Sequence, residues 1–179
     1  MRILVVCTGN ICRSPMAEAL LRTNAAAAGL DVQVASVGMH AVTGPADPQA
    51  KRVMAARGID IGEHRARQFR PVDAGSADLV VAMERAHVIE IVAEATTALG
   101  HTFTLPELVR LGSSVGPVGD AALGDWLAAI AAMRDPSTML RGNPADEVDD
   151  PYGRGRRAFN RCADQLDGLC AATIELLAG

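Results

Sequence analysis

Residues 1–15 read Met-Arg-Ile-Leu-Val-Val-Cys-Thr-Gly-Asn-Ile-Cys-Arg-Ser-Pro. The apolar run 1–6 fits a strand that is buried on both faces of a parallel sheet. A polar loop that contains Gly9 follows, and Ser14 before Pro15 predicts a helix with Ser14 as its N-cap and proline at its first position. This order predicts a strand, a loop and a helix.

The alternation of strand and helix repeats along the chain. The pattern predicts further strands at 32–36, 78–83 and 101–105, and helices at 16–28, 48–57, 84–99 and 154–177. Short connections between alternating strands and helices predict an α/β fold with a largely parallel, doubly wound sheet. Ligands bind at the carboxyl ends of the strands in such sheets, and Cys7 and the loop after it lie at that end of the first strand.

The segment 112–148 fits this alternation poorly. Gly, Ser and Pro flank one helix-like stretch at 120–133. We interpret the segment as an insertion in a single domain that spans residues 1–179. A hydrophobic share of 49% and a charged share of 21% exclude a chain that is disordered throughout.

Charge and cysteine content limit the partners and the compartment. The 17 basic and 21 acidic residues give a net charge of −4, which argues against a nucleic-acid or anionic-membrane surface. The apolar run at the start is too short for a signal peptide or a membrane span. Cys7, Cys12, Cys162 and Cys170 are too few for a disulfide scaffold, so we expect free thiols and a cytoplasmic location.

Cys7 and Arg13 flank the loop after the first strand. A loop that wraps onto a helix N-terminus directs successive backbone N–H groups inward, and the helix dipole adds positive charge. Phosphate fits such a nest, and the planar guanidinium of Arg13 suits a bidentate contact with two of its oxygens. The same positive field favours the thiolate form of Cys7. We therefore expect a phosphate-binding loop with a nucleophilic sulfur at its floor.

The segment 6–15 resembles the active-site signature of the low-molecular-weight protein tyrosine phosphatases. The resemblance covers most of the chain outside 112–148 and includes Asp-Pro-Tyr at 150–152. Further matches lie at 36–38, 47–48, 58–60, 64–67, 78–83 and 105–108. The family implies a four-stranded parallel sheet with helices on both faces, and a metal-free mechanism that needs no cofactor.

The resemblance also implies a mechanism and a substrate, a tyrosine-phosphorylated protein. Cys7 would attack phosphorus to form a phosphocysteine, while Arg13 and the loop hold the phosphoryl oxygens. Asp150 would serve as general acid and then as base for water. Asp149 is the rival acid, but the family pattern places the acid directly before proline. The loop residues implied to bind the phosphoryl group are Thr8, Gly9, Asn10, Ile11, Cys12 and Ser14.

Four polar residues, Asn10, Ser14, Ser36 and His64, match family positions that support the loop from below. Asn10 tolerates the left-handed backbone that a tight anion loop needs, and hydroxyls and an imidazole can hold its amide. Ser14 is also expected to hydrogen-bond the sulfur of Cys7, which favours the thiolate.

Two further residues receive roles from the resemblance. Tyr152 is expected to form one wall of the substrate cleft and to stack on a phosphoaryl ring. A second aromatic that family members often carry after the second strand has no counterpart in 39–44. Cys12 is expected to capture oxidised Cys7 as a disulfide.

Three other functions remain alternatives. Thiol-linked arsenate reductases share the fold and the signature, but they need a mobile cysteine pair in mid-chain, and no cysteine lies between Cys12 and Cys162. A phosphoarginine phosphatase would carry a smaller, polar residue where Ile11 stands. A catalytically inactive phosphoprotein-binding module is disfavoured, because the nucleophile, the arginine and the acid are all intact.

Overall fold

Four parallel strands form the centre of the molecule in a computed structural model that describes residues 1–135 and 143–179. The strands are β1 (Arg2–Cys7), β2 (Gln33–Gly38), β3 (Leu79–Ala82) and β4 (Thr102–Thr104), in the order β2-β1-β3-β4. The chain leaves β1 toward β2 on one side and returns to β3 on the other. Such a reversal opens a crevice at the carboxyl end of β1. The predicted α/β class and four-stranded parallel sheet are confirmed.

Helices cover both faces of this sheet. They are α1 (Arg13–Ala27), α2 (Pro48–Ala55), α3 (Pro71–Gly75), α4 (Arg85–Glu94), α5 (Leu105–Val115), α6 (Leu123–Ala132) and α7 (Gly155–Ala178), with 3-10 helices at Thr96–His101 and Pro144–Asp146. Within the described ranges, none of them is long and apolar enough to cross a membrane.

The side chains of β1 alternate between two cores. Ile3 and Val5 pack with the buried faces of α1 and α7. Leu4 and Val6 pack with α4 on the opposite face of the sheet. Because both faces of the strand are covered, its sequence is continuously apolar rather than alternating.

The helix starts show one error in the sequence-based prediction. Ser14 is not the N-cap of α1, since that helix begins at Arg13 with Cys12 as N-cap and has no side-chain cap. The Ser14 hydroxyl instead contacts the loop before the helix. The second start is as predicted, because Asp47 caps α2 by accepting a hydrogen bond from the Gln49 amide at 2.7 Å.

The predicted helix at 84–99 is too long. Helix α4 ends at Glu94, and a separate 3-10 helix follows at Thr96–His101. The fourth strand is also shorter than the predicted 101–105, because Leu105 already belongs to α5.

Helix α5 is absent from the sequence-based prediction. Thr104 and Glu107 form a capping box at its start, and its leucines are buried in the core. The segment 112–148 therefore begins inside a helix. The prediction that its first residues are irregular is wrong for 112–115, which belong to α5. Its helix-like stretch 120–133 contains α6. That it is an insertion stays a prediction, and its residues 136–142 lie outside the described part of the chain.

A buried ionic cluster ties the end of α6 to the core. Glu107 is 2% exposed and accepts hydrogen bonds from Arg85 at 2.7 Å and from Arg134 at 3.2 Å. Arg134 also lies over the ring of Phe103, 4.1 Å from its centroid. The cluster joins α4, α5 and the chain after α6. Its two arginines keep the buried carboxylate of Glu107 paired.

Candidate active site

Residues 8–13, which we call the anion loop, lead from the end of β1 to the first residue of α1. The carbonyls of Cys7, Thr8, Gly9 and Ile11 accept hydrogen bonds from amides in segment 39–47, at N···O distances of 2.8–3.0 Å. In a trans peptide the following N–H points away from the carbonyl. The tethered carbonyls therefore turn the loop amides inward, as an anion nest requires.

Close backbone contact fixes the shape of the anion loop. A Cβ atom on Gly38, the last residue of β2, would lie 2.6 Å from the Thr8 carbonyl oxygen and 2.9 Å from the Asn10 nitrogen. No side chain fits there. Asn10 has a φ of +54°, and it is the one non-glycine residue with positive φ in the described ranges. The loop thus depends on a glycine beneath it and on an asparagine within it.

The predicted support residues meet at Asn10. Its side-chain amide donates to Ser14 Oγ at 2.8 Å and to Ser36 Oγ at 2.9 Å, while its Oδ1 accepts from the Arg67 amide at 2.8 Å. His64 Nε2 lies 2.8 Å from the Asn10 carbonyl oxygen. Every hydrogen-bonding group of this side chain is used, so the left-handed turn is held from several directions.

Cys7 lies at the floor of the loop with 2% of its surface exposed. Its Sγ is 2.9 Å from Ser14 Oγ, the contact that the sequence predicts, and it accepts a hydrogen bond from the Asn10 amide at 3.3 Å. The serine hydroxyl and the loop backbone therefore hold the sulfur in place at the floor of the loop.

Arg13 is buried, and both terminal nitrogens of its guanidinium are hydrogen-bonded. Its Nη1 donates to Glu84 and to the Val148 carbonyl, the latter at 3.0 Å, while its Nη2 donates to Asp150 Oδ2 at 2.9 Å and to Thr8 Oγ1 at 3.3 Å. Burial alone lowers the pKa of this guanidinium, but the hydrogen bond to Glu84 and nearby negative charges outweigh burial and raise it. Because Nη1 is bound to the interior groups Glu84 and Val148, a bidentate contact with phosphate falls to Nε and to Nη2, where phosphate has to displace Asp150.

Asp150 stands at the rim and is held by its own turn. Its Oδ1 accepts a hydrogen bond from the Tyr152 amide at 3.1 Å. The segment before it is fixed to the core, since the Val148 amide donates to the Met83 carbonyl at 2.8 Å. Asp149 is exposed and does not line the cavity that contains Cys7.

Helix α5 supplies a second anchor for this segment. Arg110 binds Asp146 with two hydrogen bonds of 2.9 and 2.7 Å, which raise the pKa of Arg110. Asp146 is 3% exposed and ends the 3-10 helix at Pro144–Asp146. A bidentate pair at a buried carboxylate fixes orientation as well as distance.

A cavity of about 200 Å³ opens above the sulfur. Its residues are Cys7, Thr8, Gly9, Ile11, Cys12, Arg13, His40, Val42, Asp150 and Tyr152. Tyr152 is 63% exposed and forms one wall, as predicted. His40 and Val42 stand on the segment where a second aromatic is missing, so that wall is half polar and half aliphatic.

Glu84, His87 and Gly38 are site residues that the sequence-based reasoning missed. Glu84 is the second residue after β3, and His87 lies in the first turn of α4. The carboxyl ends of neighbouring parallel strands meet at one edge of the sheet, so the sequence could have predicted that Glu84 lies near the anion loop, where it binds Arg13. The described residues hold no cluster of three His, Cys, Asp or Glu side chains suited to a metal ion.

The remaining cysteines are buried thiols. Burial raises the pKa of Cys12, and the charges of Asp47 and Asp150 raise it further. Burial likewise raises the pKa of Cys162 to about 12. Cys162 and Cys170 both lie in α7 and are nearly inaccessible, unlike the mobile pair that thiol-linked arsenate reduction requires.

Comparison with known proteins agrees with this geometry. The family model described as low molecular weight phosphotyrosine protein phosphatase matches residues 2–113. The low molecular weight protein-tyrosine-phosphatase Etp of Escherichia coli K12 is 43% identical over 166 residues, which are 92% of this chain and 86% of the relative. A protein-arginine-phosphatase of Geobacillus stearothermophilus is 40% identical over 150 residues, 82% and 95% of the two chains.

Solved structures share the fold over the full length. The crystal structure of a low molecular weight protein tyrosine phosphatase from T. tengcongensis superposes with a TM-score of 0.75 at 34% identity, and the match covers 99% of each chain.

Proposed function

The chain belongs to the low molecular weight phosphotyrosine protein phosphatase family, and on that premise we propose that it hydrolyses phosphotyrosine in proteins through a phosphocysteine intermediate. The observation that carries the proposal is the anion loop, whose carbonyls are tethered outward and whose floor holds a buried sulfur that accepts a hydrogen bond from the Asn10 amide. Arg13 and Asp150 meet at its rim, 2.9 Å apart.

In the first step the Cys7 thiolate attacks phosphorus, and the bond from phosphorus to the tyrosyl oxygen breaks. The loop amides and Arg13 hold the three equatorial oxygens, which carry the negative charge of the transition state. The phosphoryl group competes with Asp150 for Nη2 of Arg13. Asp150, once released from Arg13, takes up a proton from solvent and gives it to the leaving tyrosyl oxygen.

In the second step water attacks the phosphocysteine. Asp150, now a carboxylate, accepts a proton from that water, and the bond between sulfur and phosphorus breaks to release phosphate. The departing thiolate is received by the Ser14 hydroxyl and the Asn10 amide, which lie 2.9 and 3.3 Å from the sulfur. Asp150 finally returns its proton to solvent, and the cycle ends with every group in its starting state.

The cavity walls favour an aryl substrate over phosphoarginine. Ile11, Val42 and Tyr152 present apolar surface to the leaving group, and Asp150 is the one carboxylate in the described lining of the cavity that could accept from a guanidinium with several N–H donors. We expect kcat/KM for a phosphotyrosyl peptide to exceed that for the matched phosphoarginyl peptide by about a hundredfold or more.

Substitutions at one position make this comparison specific. Ile11→Thr should lower the ratio of kcat/KM for the phosphotyrosyl peptide to that for the phosphoarginyl peptide, because threonine is smaller and polar. The control Ile11→Val keeps an apolar side chain and should leave this ratio unchanged. If the wild-type protein hydrolyses the phosphoarginyl peptide more efficiently than the phosphotyrosyl peptide, the proposed substrate is wrong and the protein is an arginine phosphatase.

Cys12 is proposed to protect the nucleophile from oxidation. Peroxide converts the Cys7 thiolate to a sulfenic acid, and attack by Cys12 then forms a disulfide and releases water. We expect wild-type activity lost to mild peroxide to return with a thiol reductant, and peptide mapping to find a Cys7–Cys12 disulfide. The free thiols agree with a reducing compartment, and we propose the cytoplasm.

The control for this prediction is Cys162→Ser, which removes a buried thiol outside the loop and should recover like wild type. Cys12→Ser should recover little after the same treatment, because the sulfenic acid is oxidised further. Equal recovery of Cys12→Ser and wild type would remove Cys12 from any protective role.

A further inference from the structure

His87 contacts the anion loop from α4 and has no part in the mechanism described above. It is 3% exposed, and its Nε2 lies 2.9 Å from the hydroxyl oxygen of Thr8. That hydroxyl also accepts a hydrogen bond from Arg13 Nη2 at 3.3 Å. Histidine and arginine therefore both bind the one side-chain oxygen at the edge of the cavity above Cys7.

The other ring nitrogen of His87 decides which atom carries the proton. Nδ1 is buried and has no hydrogen-bond partner among the described residues. A buried N–H group without an acceptor is the rarer and costlier defect, so the proton belongs on Nε2. Nε2 then donates to Thr8.

The imidazole is neutral at physiological pH. Burial lowers its pKa to about 4, and the charge of Arg13 and that of His40 act in the same direction, while Glu84 and Asp150 oppose them. A neutral ring has one N–H, and in this geometry that N–H points at Thr8.

The hydrogen bonds of Thr8 are then fully determined. A hydroxyl has two lone pairs and one proton, and the lone pairs receive hydrogen bonds from His87 and Arg13. Its proton must turn in the remaining direction, and Thr8 lines the cavity that contains Cys7 and Asp150.

We propose that His87 is a positioning residue that acts through Thr8, whose hydroxyl it turns into a fixed hydrogen-bond donor to the phosphoryl group. The inference rests on the proposed function, since it needs a phosphoryl oxygen above the sulfur. A preoriented donor stabilises the charge of the transition state without reorganising during the reaction.

The direct test compares His87→Leu with His87→Gln. Leucine removes the donor, whereas the amide nitrogen of glutamine can replace Nε2. We expect kcat for a phosphotyrosyl peptide to fall about tenfold or more in His87→Leu, with recovery of most of the loss in His87→Gln. His101→Leu is the matched control, because it removes a comparable bond, 3.2 Å from Nε2 to the Ala74 carbonyl, away from the site.

A second variant separates positioning from a general structural role. Thr8→Val removes the hydroxyl, so adding His87→Leu to it should cost no further activity. If His87→Leu lowers kcat equally in both backgrounds, or if glutamine restores nothing, the proposal is wrong. Thermal unfolding of each variant identifies losses that come from stability alone.

Two measurements do not depend on turnover. Nitrogen-15 NMR of the histidine rings should show His87 protonated at Nε2 only, and inorganic phosphate should bind more weakly to His87→Leu than to wild type. Protonation at Nδ1, or equal phosphate affinity, would overturn the role of His87. Failure of the wild type to hydrolyse phosphotyrosine, with these two results intact, would instead overturn the proposed function.

Discussion

Cys7→Ser is expected to lower turnover of a phosphotyrosyl substrate by about four orders of magnitude or more. A serine hydroxyl stays protonated at neutral pH, and no side chain in the described residues is placed as a base to activate it. The groups that contact the sulfur are the Asn10 amide, which donates to it, and the Ser14 hydroxyl, and neither is a base at neutral pH. The measurement is kcat at saturating substrate and kcat/KM at limiting substrate, both with purified protein.

Cys162→Ser is the control for this change, because it makes the same substitution at a buried position in α7 and should retain wild-type activity. Arg13→Lys keeps the charge but loses the planar fork, and we expect it to cost about 100-fold to 1,000-fold. Substantial activity in Cys7→Ser would exclude the sulfur as nucleophile, whatever the result at Arg13.

The local part of the site was predictable from the sequence. Residues 1–15 carry a strand signal, a glycine-containing loop and a helix start within one continuous segment, so their interactions are short in range. Asn10 and Ser14 could be placed for the same reason. Even here the prediction of Ser14 as a helix cap is wrong. Its hydroxyl could have bound a backbone amide of the helix, but it contacts the Cys7 sulfur and the Asn10 side-chain amide instead.

The rest depends on contacts that are distant in sequence. Glu84 and Val148 bind the guanidinium of Arg13, 71 and 135 residues away along the chain. Helix α5 was not predicted because it begins directly after a three-residue strand, and no loop residues separate the two elements. Without helix α5, the ion pair between Arg110 and Asp146 could not be predicted either. This pair positions the segment that carries Asp150.

Asp150→Asn is expected to slow the first chemical step by about 100-fold to 10,000-fold for phosphotyrosine. The tyrosyl oxygen leaves as a phenolate whose conjugate acid has a pKa of about 10, so departure without a proton donor is slow. A nitrophenolate is a better leaving group and needs less assistance. The loss should therefore be clearly smaller for nitrophenyl phosphate in single-turnover experiments.

Asp149→Asn is the matched control, because it neutralises the neighbouring carboxylate in the same turn. Asp149 is exposed and lies outside the cavity that contains Cys7, so both substrates should react at close to the wild-type rate. Equal losses on the two substrates in Asp150→Asn, or a larger loss in Asp149→Asn, would contradict the assignment of the acid.

The second step offers the most direct test of the covalent mechanism. Asp150 also serves as base for the water that hydrolyses the phosphocysteine, so in Asp150→Asn the intermediate should accumulate when nitrophenyl phosphate is the substrate. Rapid acid quench followed by peptide mass mapping should find one phosphoryl group on the peptide that contains Cys7. Nitrophenol release with no phosphoryl group on Cys7 at any time of quench would contradict the account.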